Sequence, residues 1–290
     1  MDPTNNPDII KPGAVDKYLN YLSAFTSAVP LTEDSSKAIL DGLNTVASNP
    51  SGIIQSPEKL TNYFKLVDNL LVQNVTSSTN SPQNLVNGMV DKVLDNIYPG
   101  EGLKINSISF SLNVNKVSPN SVADFNVGDG CKTFCLEKDQ LSGIVASNTA
   151  VSIVSNHVSN TKILPINQTE DSHPFSKDSV NITLFDNKKR RILLDNDNYN
   201  YTFRLKLPES VKNSTNKTDI SLTACIQYTA QKTPVTDACV TWYDYDNNEV
   251  ICACKSIGLT VNVFDSGLSK MNQLAQFPNP LISFSNYQII

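Results

Sequence analysis

Residues 98–114, YPGEGLKINSISFSLNV, mark a change in the periodicity of the chain. Before this stretch, apolar residues recur about every 3.6 positions, which is the period of an amphipathic helix. Within it, apolar and polar residues alternate, as in a strand with one buried face. The alternating apolar positions are Ile108, Phe110, Leu112 and Val114. The sequence therefore predicts an α+β fold in two parts, with an N-terminal helical subdomain packed on a C-terminal antiparallel β-sandwich.

Four helices are predicted between residues 14 and 99. The clearest begins at Ser56-Pro57-Glu58, which combines an N-cap, a proline at the first helical position and an acid in the first turn. Ser81-Pro82 repeats this signal, a third helix starts near Thr32, and the first helix runs from about Val15 to Val29. The expected buried faces carry Tyr18, Leu22 and Phe25, then Ile39, Leu43 and Val46, then Leu60, Phe64, Val67 and Leu71, and finally Leu85, Met89, Val93 and Ile97.

Residues 103–265 have the pattern of short strands separated by polar turns, which is typical of a β-sandwich. The preceding residues 14–99 form the helical subdomain, and residues 1–13 are interpreted as an N-terminal extension. Residues 266–290 are interpreted as an exit linker or an added strand. The alternating apolar residues of the predicted strands include Val180, Ile182 and Leu184, then Tyr201, Phe203, Leu205 and Leu207, then Ile220, Leu222, Ala224, Ile226 and Tyr228.

Charge and composition exclude several classes of function. A net charge of -5 provides no basic surface for a phosphate backbone, so nucleic-acid binding is not expected. The chain has 11 glycines and lacks the motifs of phosphate-binding loops, Rossmann folds, serine hydrolases and zinc proteases. We therefore expect no enzyme that turns over a metabolite, no cofactor and no bound metal.

The six cysteines all lie in the second part of the chain. Their even number, and the lack of a second cysteine pair at zinc-site spacing, predict disulfides in place of metal ligands. Disulfides form in exported proteins, although the first residues contain no apolar signal segment and no run of about 18 apolar residues occurs. We therefore expect an extracellular or cell-surface location, as part of a longer exported protein. The cysteines are Cys131, Cys135, Cys225, Cys239, Cys252 and Cys254.

Residues 239–265, CVTWYDYDNNEVICACKSIGLTVNVFD, contain the single tryptophan and three of the six cysteines. The spacing Cys239-x-x-Trp242, followed by Cys252-x-Cys254 and a final strand, resembles the GPS motif at the end of a GAIN domain. GAIN domains precede the membrane in adhesion receptors and polycystin-like proteins. The resemblance implies a helical subdomain followed by a β-sandwich whose last strands carry the motif. This chain lacks the further tryptophan and the Gly-Cys pair that usually come before the CxC.

The resemblance also implies a set of disulfides. Because one family cysteine is missing here, the last cysteine of the CxC would take a partner on the preceding strand. The implied pairs are Cys239–Cys252, Cys225–Cys254 and Cys131–Cys135. Trp242 would fill the sandwich interior beside the first of these pairs. The residues alone leave the connectivity open, since six cysteines allow many pairings.

GAIN domains cleave themselves at a His-Leu-Ser/Thr tripeptide, where a hydroxyl attacks the preceding carbonyl and the histidine accepts the hydroxyl proton. The two possible alignments here are Ser256-Ile257-Gly258 and Gly258-Leu259-Thr260, and neither contains the base. The two histidines of the chain, His157 and His173, lie far away in the sequence. We therefore expect no self-cleavage, and we interpret Thr260 as an ordinary β-branched residue on an edge strand.

Three further patterns have ordinary explanations. Asp244, Asp246 and Asn248 imitate the start of a calcium loop, but the later positions lack the glycine and the bidentate acid, which favours a polar hairpin loop. Residues 186–191, DNKKRR, are expected to form a solvated hairpin turn, with a dibasic protease site as the alternative. Acceptor triplets for N-glycosylation, some of which we expect to be empty, occur at Asn74, Asn167, Asn181, Asn200, Asn213 and Asn216.

Together these observations predict an extracellular structural or adhesion module, GAIN-like but not self-cleaving, in a larger surface protein or filament. Two alternatives stay open. One is an autoproteolytic GAIN domain that cleaves the Leu259–Thr260 bond, and the other is a plain adhesin-type β-sandwich with an unrelated helical part. The expected partners are other extracellular protein domains or copies of this chain, with membrane attachment only through segments outside it.

Overall fold

The computed structural model describes residues 14–28, 32–48, 50–73, 82–128, 132–146, 150–159, 175–194, 198–207, 223–228, 234–235, 237–244 and 246–264. In these residues the chain forms three layers, namely helices, a large sheet and a small sheet. The helices are α1 (Val15–Ala28), α2 (Glu33–Ser48), α3 (Ser51–Ile54), α4 (Pro57–Val72), α5 (Pro82–Asn96) and α6 (Lys138–Ala146).

Helix α4 begins where the sequence predicts. The Ser56 hydroxyl accepts a hydrogen bond from the backbone amide of Lys59 (3.4 Å), and Pro57 occupies the first turn, where a backbone N–H has no helical partner. The ammonium group of Lys59 lies 2.8 Å from Oδ2 of Asp16 on α1. These contacts place the start of α4 beside the start of α1.

The buried faces of α2, α4 and α5 are confirmed, whereas α1 differs in part. The predicted apolar residues of the other three helices are buried, but Phe25 on α1 is 38% exposed. The face of α1 in the core carries Val15, Leu19 and Leu22, because these residues follow the i, i+4, i+7 spacing of a single helical stripe. The one-turn helix α3 and helix α6, which buries Leu141, were not predicted.

The described strands pair antiparallel throughout. The large sheet has the order β1-β2-β5-β6-β13-β9-β10, with β7 beside β6, and the small sheet has the order β11-β12-β8-β4-β3. The strands are β1 (Gly102–Asn106), β2 (Phe110–Val117), β3 (Phe125–Val127), β4 (Phe134–Leu136), β5 (Val151–Val158), β6 (Phe175–Phe185), β7 (Arg191–Ile192), β8 (Tyr201–Lys206), β9 (Thr223–Tyr228), β10 (Pro234–Val235), β11 (Cys239–Asp244), β12 (Glu249–Cys254) and β13 (Leu259–Phe264).

The large sheet is buried on both faces. Toward the helices, Phe110 of β2 meets Phe64 of α4 with 6.1 Å between ring centroids. Toward the small sheet, Val180 and Ile182 of β6 share a core with Phe203 of β8. The predicted two-part α+β fold is confirmed, but the strands of the large sheet are covered on two sides, while the sequence pattern indicated one.

The strand predicted to begin at Ile108 begins later in the structure. Ile108, predicted as the first inward residue of a strand, lies in the turn between β1 and β2 and is 81% exposed. The strand ladder starts two residues later, at Phe110, because the turn residues 107–109 hydrogen-bond to a helix. The predicted strand residues Ile220 and Leu222 lie outside the described residues, as do the N-terminal extension and the segment 266–290.

A buried carboxylate connects the helices to this turn. Asp68 of α4 is 1% exposed, and its Oδ2 accepts hydrogen bonds from the Ser107 hydroxyl (2.5 Å), the Ile108 amide (2.8 Å) and the Ser109 amide (3.3 Å). Charge-assisted bonds of this kind are stronger than those between neutral groups. Asp68 therefore fixes the position of the β1–β2 turn against α4.

A second polar contact joins the layers at another place. Lys189, in the turn between β6 and β7, lies 2.5 Å from Oδ1 of Asp95 on α5 and also donates to the backbone carbonyl of Asp91 (3.2 Å). Both side chains of this ion pair are more than a third exposed, so solvent weakens their attraction. The contact positions the hairpin on α5 and contributes little to stability.

We expect Asp68→Ala to lower the free energy of unfolding by about 2–4 kcal/mol, because it leaves three donors at the base of the turn without their acceptor. Asp95→Ala is the matched control, since it also removes an aspartate between the layers but from an exposed ion pair worth about 0–1 kcal/mol. Chemical denaturation of both variants measures the difference. Equal stability of the two variants would contradict the role assigned to Asp68.

Candidate functional site

The candidate site is the beginning of β13, where the sequence places the degenerate cleavage tripeptide. Strand β13 pairs with β6 on one side and β9 on the other, so Thr260 lies opposite Val180 and Gln227. The expectation of an edge strand is therefore wrong. Because both neighbours are in place and both faces are covered, Thr260 is 0% exposed.

The side chain of Gln227 organises this site. Its Nε2 donates to the backbone carbonyl of Ser256 (2.7 Å) and to the Thr260 hydroxyl (3.1 Å), and its Oε1 accepts from the Ser256 hydroxyl (2.8 Å). A carbonyl oxygen can only accept, so the amide nitrogen of Gln227 must face Ser256 and Thr260. The group beside the Thr260 hydroxyl is thus a hydrogen-bond donor, which cannot take up a proton.

In the alignment Gly258-Leu259-Thr260, Gly258 stands where GAIN domains have the histidine that acts as the base. A Cβ atom at this glycine would lie 3.6 Å from Nη2 of Arg191 and 3.8 Å from the carbonyl oxygen of Tyr228, which are ordinary contact distances. The Gly258 carbonyl accepts a hydrogen bond from the amide of Ile182 (3.2 Å), which joins the segment to β6. Gly258 thus lies directly before β13, is joined to β6 through its backbone, and contributes no side chain that could act as a base.

The histidine that the structure describes, His157, does not lie at this site. His157 lies on β5, opposite Val180, and is separated from Thr260 by the whole width of β6, which is two strand spacings or about 10 Å. Its Nε2 is hydrogen-bonded to one carboxylate oxygen of Asp178. The other carboxylate oxygen of Asp178 accepts a hydrogen bond from the backbone amide of Lys206 (2.6 Å) in the small sheet. His173 lies outside the described residues.

The disulfides differ from the implied pairs. Cys225 of β9 is bonded to Cys252 of β12, and Cys239 is bonded to Cys254. The pairing Cys239–Cys252 is wrong because Cys239 faces Cys254 directly in the β11–β12 ladder, with 4.0 Å between the Cα atoms, whereas Cys252 faces Thr241. Cys252 instead reaches the opposite sheet, where its Cα lies 5.7 Å from that of Cys225.

The Cys225–Cys252 disulfide connects the large sheet to the small sheet. A hydrogen bond from the Cys225 amide to the Thr241 hydroxyl (2.9 Å) joins the two sheets at the same place. Cys135 is also disulfide-bonded, and Cys131 lies outside the described residues, so the third implied pair stays a prediction. The GPS-like segment is therefore crosslinked both within its own hairpin and to β9.

Trp242 does not lie beside the disulfides. Side chains alternate between the two faces of a strand, so Trp242 points away from the face that carries Cys239. Cys239 belongs to the core between the sheets, whereas Trp242 is half-buried on the outer face, opposite Ile251 of β12. The expectation that the indole fills the sandwich interior is wrong.

The acidic loop between β11 and β12 has the features of a hairpin turn. The Asp244 carboxylate accepts hydrogen bonds from the side chain (2.9 Å) and the backbone amide (3.1 Å) of Asn247. These bonds hold the pKa of Asp244 below its usual range. Asn248 has a φ of 55°, the left-handed conformation common for asparagine in turns. The residues that the structure describes contain no group of three or more potential metal ligands.

The basic segment 186–191 forms the turn between β6 and β7, as predicted. The Asp186 carboxylate accepts from the amides of Lys188 (2.9 Å) and Arg190 (2.8 Å), and from Nε of Arg190 (2.7 Å). Together with the contact of Lys189 to α5, these bonds hold both the backbone and the tip of the hairpin. The alternative of a dibasic protease site stays untested.

The glycosylation triplets fall into different environments. Asn200 is exposed at the start of β8, where a glycan would meet solvent. Asn181 lies within β6 between β5 and β13, and is half-buried, so its side chain offers poor access. The other four triplets, at Asn74, Asn167, Asn213 and Asn216, lie outside the described residues.

Sequence reasoning missed Gln227, the residue that contacts Thr260. The available signal was a polar residue in a predicted strand, directly after Cys225 and Ile226, which are types found mostly in protein interiors. Such a residue needs a partner inside the fold. The identity of that partner depends on the pairing of β9 with β13, which are more than 30 residues apart in the chain.

No protein-family model and no curated protein matches the chain. Among solved structures, a similar chain is the full extracellular region of zebrafish Gpr126/Adgrg6, with a TM-score of 0.40 and 11% sequence identity. The match covers 80% of this chain and 35% of that one, so this chain spans about a third of the length of the matched structure. No helix in the described ranges is long and apolar enough to cross a membrane.

We expect single cysteine substitutions to reveal the connectivity. In Cys252→Ala the freed thiol should be on Cys225, and in Cys239→Ala it should be on Cys254, because each substitution removes one partner of an observed bond. Alkylation under denaturing, non-reducing conditions followed by peptide mass spectrometry locates the label. Labelling of Cys239 in Cys252→Ala would contradict the structure and support the family-like pairing.

We also expect Trp242→Ala to cost less stability than Phe203→Ala. Phe203 is fully buried and stacks on Phe134 with 4.7 Å between ring centroids, so its loss should cost about 3–5 kcal/mol. Trp242 is half-buried, so Trp242→Ala should lower the free energy of unfolding by roughly half as much. Urea denaturation of the two variants compares them. A larger loss for Trp242→Ala would indicate that the indole belongs to the core after all.

Proposed function

We propose that this chain is an extracellular structural or adhesion module of GAIN-like architecture, which stays one covalent chain within a larger surface protein or filament. The observation that carries the proposal is the setting of Thr260, a fully buried hydroxyl that receives a hydrogen bond from the Gln227 amide. Attack of this hydroxyl on the Leu259 carbonyl would require a group that accepts its proton. Gln227 is a donor at this position, and Gly258 provides no side chain.

The disulfides support an extracytoplasmic location. Disulfides persist in oxidising compartments and are rare in the reducing cytosol. Both described bonds lie in the core between the sheets, where Cys252 and Cys254 are fully buried. The exposed triplet at Asn200 is compatible with a glycan on the surface of an exported protein.

The proposed role is mechanical. An uncleaved chain transmits tension through its covalent backbone, whereas a cleaved chain would depend on the noncovalent contacts of its last strand. The disulfides Cys225–Cys252 and Cys239–Cys254 connect β9, β11 and β12. Asp68 connects the helices to the β1–β2 turn. These connections support a module whose layers hold together under load, with other extracellular domains or further copies of this chain as its partners.

Two other functions account for these observations less well. An autoprotease cutting at Leu259–Thr260 has the required hydroxyl in the expected strand, but Gly258 has no side chain and the described histidine, His157, lies on the far side of β6. A plain adhesin-type sandwich with an unrelated helical domain is disfavoured by the shared core, in which Phe64 and Leu70 of α4 pack together with Leu112 and Val261 of the large sheet. The GAIN-like architecture therefore accounts best for the helices and the final strands together.

Intact mass under reducing and denaturing conditions tests the proposal. We expect both the native protein and the Thr260→Ala variant, secreted from the same host, to contain the Leu259–Thr260 bond in a single continuous chain. The variant is the control for adventitious proteolysis, because it removes only the hydroxyl that a self-cleavage reaction needs. Fragments that meet between Leu259 and Thr260 in the native protein, and are absent from Thr260→Ala, would establish the autoprotease.

A further inference from the structure

Strand β13 has a residue pattern that fits more than one register. Its residues alternate between the helix-facing and sandwich-facing sides of the large sheet, with Leu259 and Val261 packed toward the helices. A slip by two residues keeps every side chain on its own face, so the alternation of inward and outward residues does not by itself distinguish the two registers. In one such slip, Asn262 takes the place of Thr260 opposite Gln227. This slip lengthens the connection between β12 and β13 by two residues and needs no other change in the path of the chain. Another interaction must therefore select the observed register.

The Gln227 hydrogen bonds depend on register in a way that apolar packing does not. Ser256 and Thr260 both contact the same amide, one before β13 and one within it. A two-residue slip would displace Ser256 by about 7 Å along the strand. The Gln227 amide, which belongs to a side chain 3% exposed, would then lose both of its bonds to Ser256. Burying unpaired amide groups is unfavourable, which penalises the slipped pairing.

We propose that Gln227 is the residue that sets the register of the final strand. Its amide binds Ser256 and Thr260 together and so defines which residue of β13 faces β9. Buried polar residues are known to specify register in other packed structures. This inference goes beyond the proposed function and does not depend on whether the chain cleaves itself.

The large sheet also offers a matched control for this proposal. Ser179 on β6 lies opposite Val261 of β13 and is as deeply buried as Thr260, but its hydroxyl has no hydrogen-bond partner in the structure. Removing it takes away no interaction between strands. Ser179→Ala should therefore leave the register unchanged and should not lower the stability, although it deletes a hydroxyl at an equivalent depth.

The test uses four variants of the whole chain, each with a defined loss. Gln227→Met keeps the length of the side chain and removes its amide, while Thr260→Val keeps the shape and removes the hydroxyl. Thr260→Ser keeps the hydroxyl and removes a methyl group, and Ser179→Ala is the control. NMR contacts between backbone protons of β13 and β9 report the register directly, and thermal unfolding reports the stability.

We expect the native protein, Thr260→Ser and Ser179→Ala to show one set of contacts in which residue 260 faces Gln227. Gln227→Met should show a second set, with residue 262 facing position 227, and a melting temperature lower by about 4–8 °C. Thr260→Val should also show the second set of contacts and a lower melting temperature, but both effects should be smaller. If Gln227→Met fails to fold, the comparison of Thr260→Val with Thr260→Ser decides. A single native register in Gln227→Met, or identical behaviour of Thr260→Val and Thr260→Ser, would overturn the proposal.

Discussion

The central strands of the large sheet have no side that faces solvent, because helices cover one face and the small sheet covers the other. A polar side chain on these strands can find a partner only inside the protein, and leaving such a group unpaired costs about 1–3 kcal/mol. Asp178 meets this requirement through His157 and the backbone of the small sheet. Gln227 meets it through Ser256 and Thr260. The polar contacts between strands therefore follow from the burial of this one sheet.

The same constraint determines the surroundings of the candidate cleavage site. In an exposed edge strand, a threonine hydroxyl could meet water or a mobile side chain that accepts its proton. In the centre of the large sheet, the hydroxyl of Thr260 meets only what the adjacent strands present, and β9 presents an amide donor. The disulfides whose two partners the structure describes connect β9, β11 and β12, and β13 contains no cysteine. Strand β13 is thus held by its two ladders, its apolar packing and Gln227.

Local sequence signals predicted the local structure well. Ser56-Pro57 gave the start of α4 because a cap and a proline act within a single turn, and the alternation at Val180, Ile182 and Leu184 gave β6. These features depend on neighbours in the chain and so can be derived from the residues in order.

Two errors at the candidate site concern relations between distant strands. The pairing of Cys239 with Cys254 and the contact of Gln227 with Thr260 depend on which residues face each other across β9, β11, β12 and β13. A shift of one position in that register exchanges the two faces of a strand. The sequence pattern indicates the two faces of each strand but not its neighbours, which is why the first feature was wrong and the second was missed. The outward position of Trp242, in contrast, follows from its odd spacing from Cys239 within β11.

Amide hydrogen exchange of β13 tests most directly whether this strand is a closed, central part of the large sheet. The account predicts that the amides of Thr260 and Val261 exchange as slowly as those of Ile182 in β6, and that they open only with the whole domain. Rapid exchange of these two amides, with β5 and β6 still protected, would show that the strand leaves the sheet on its own. That result would contradict the burial on which the setting of Thr260 depends.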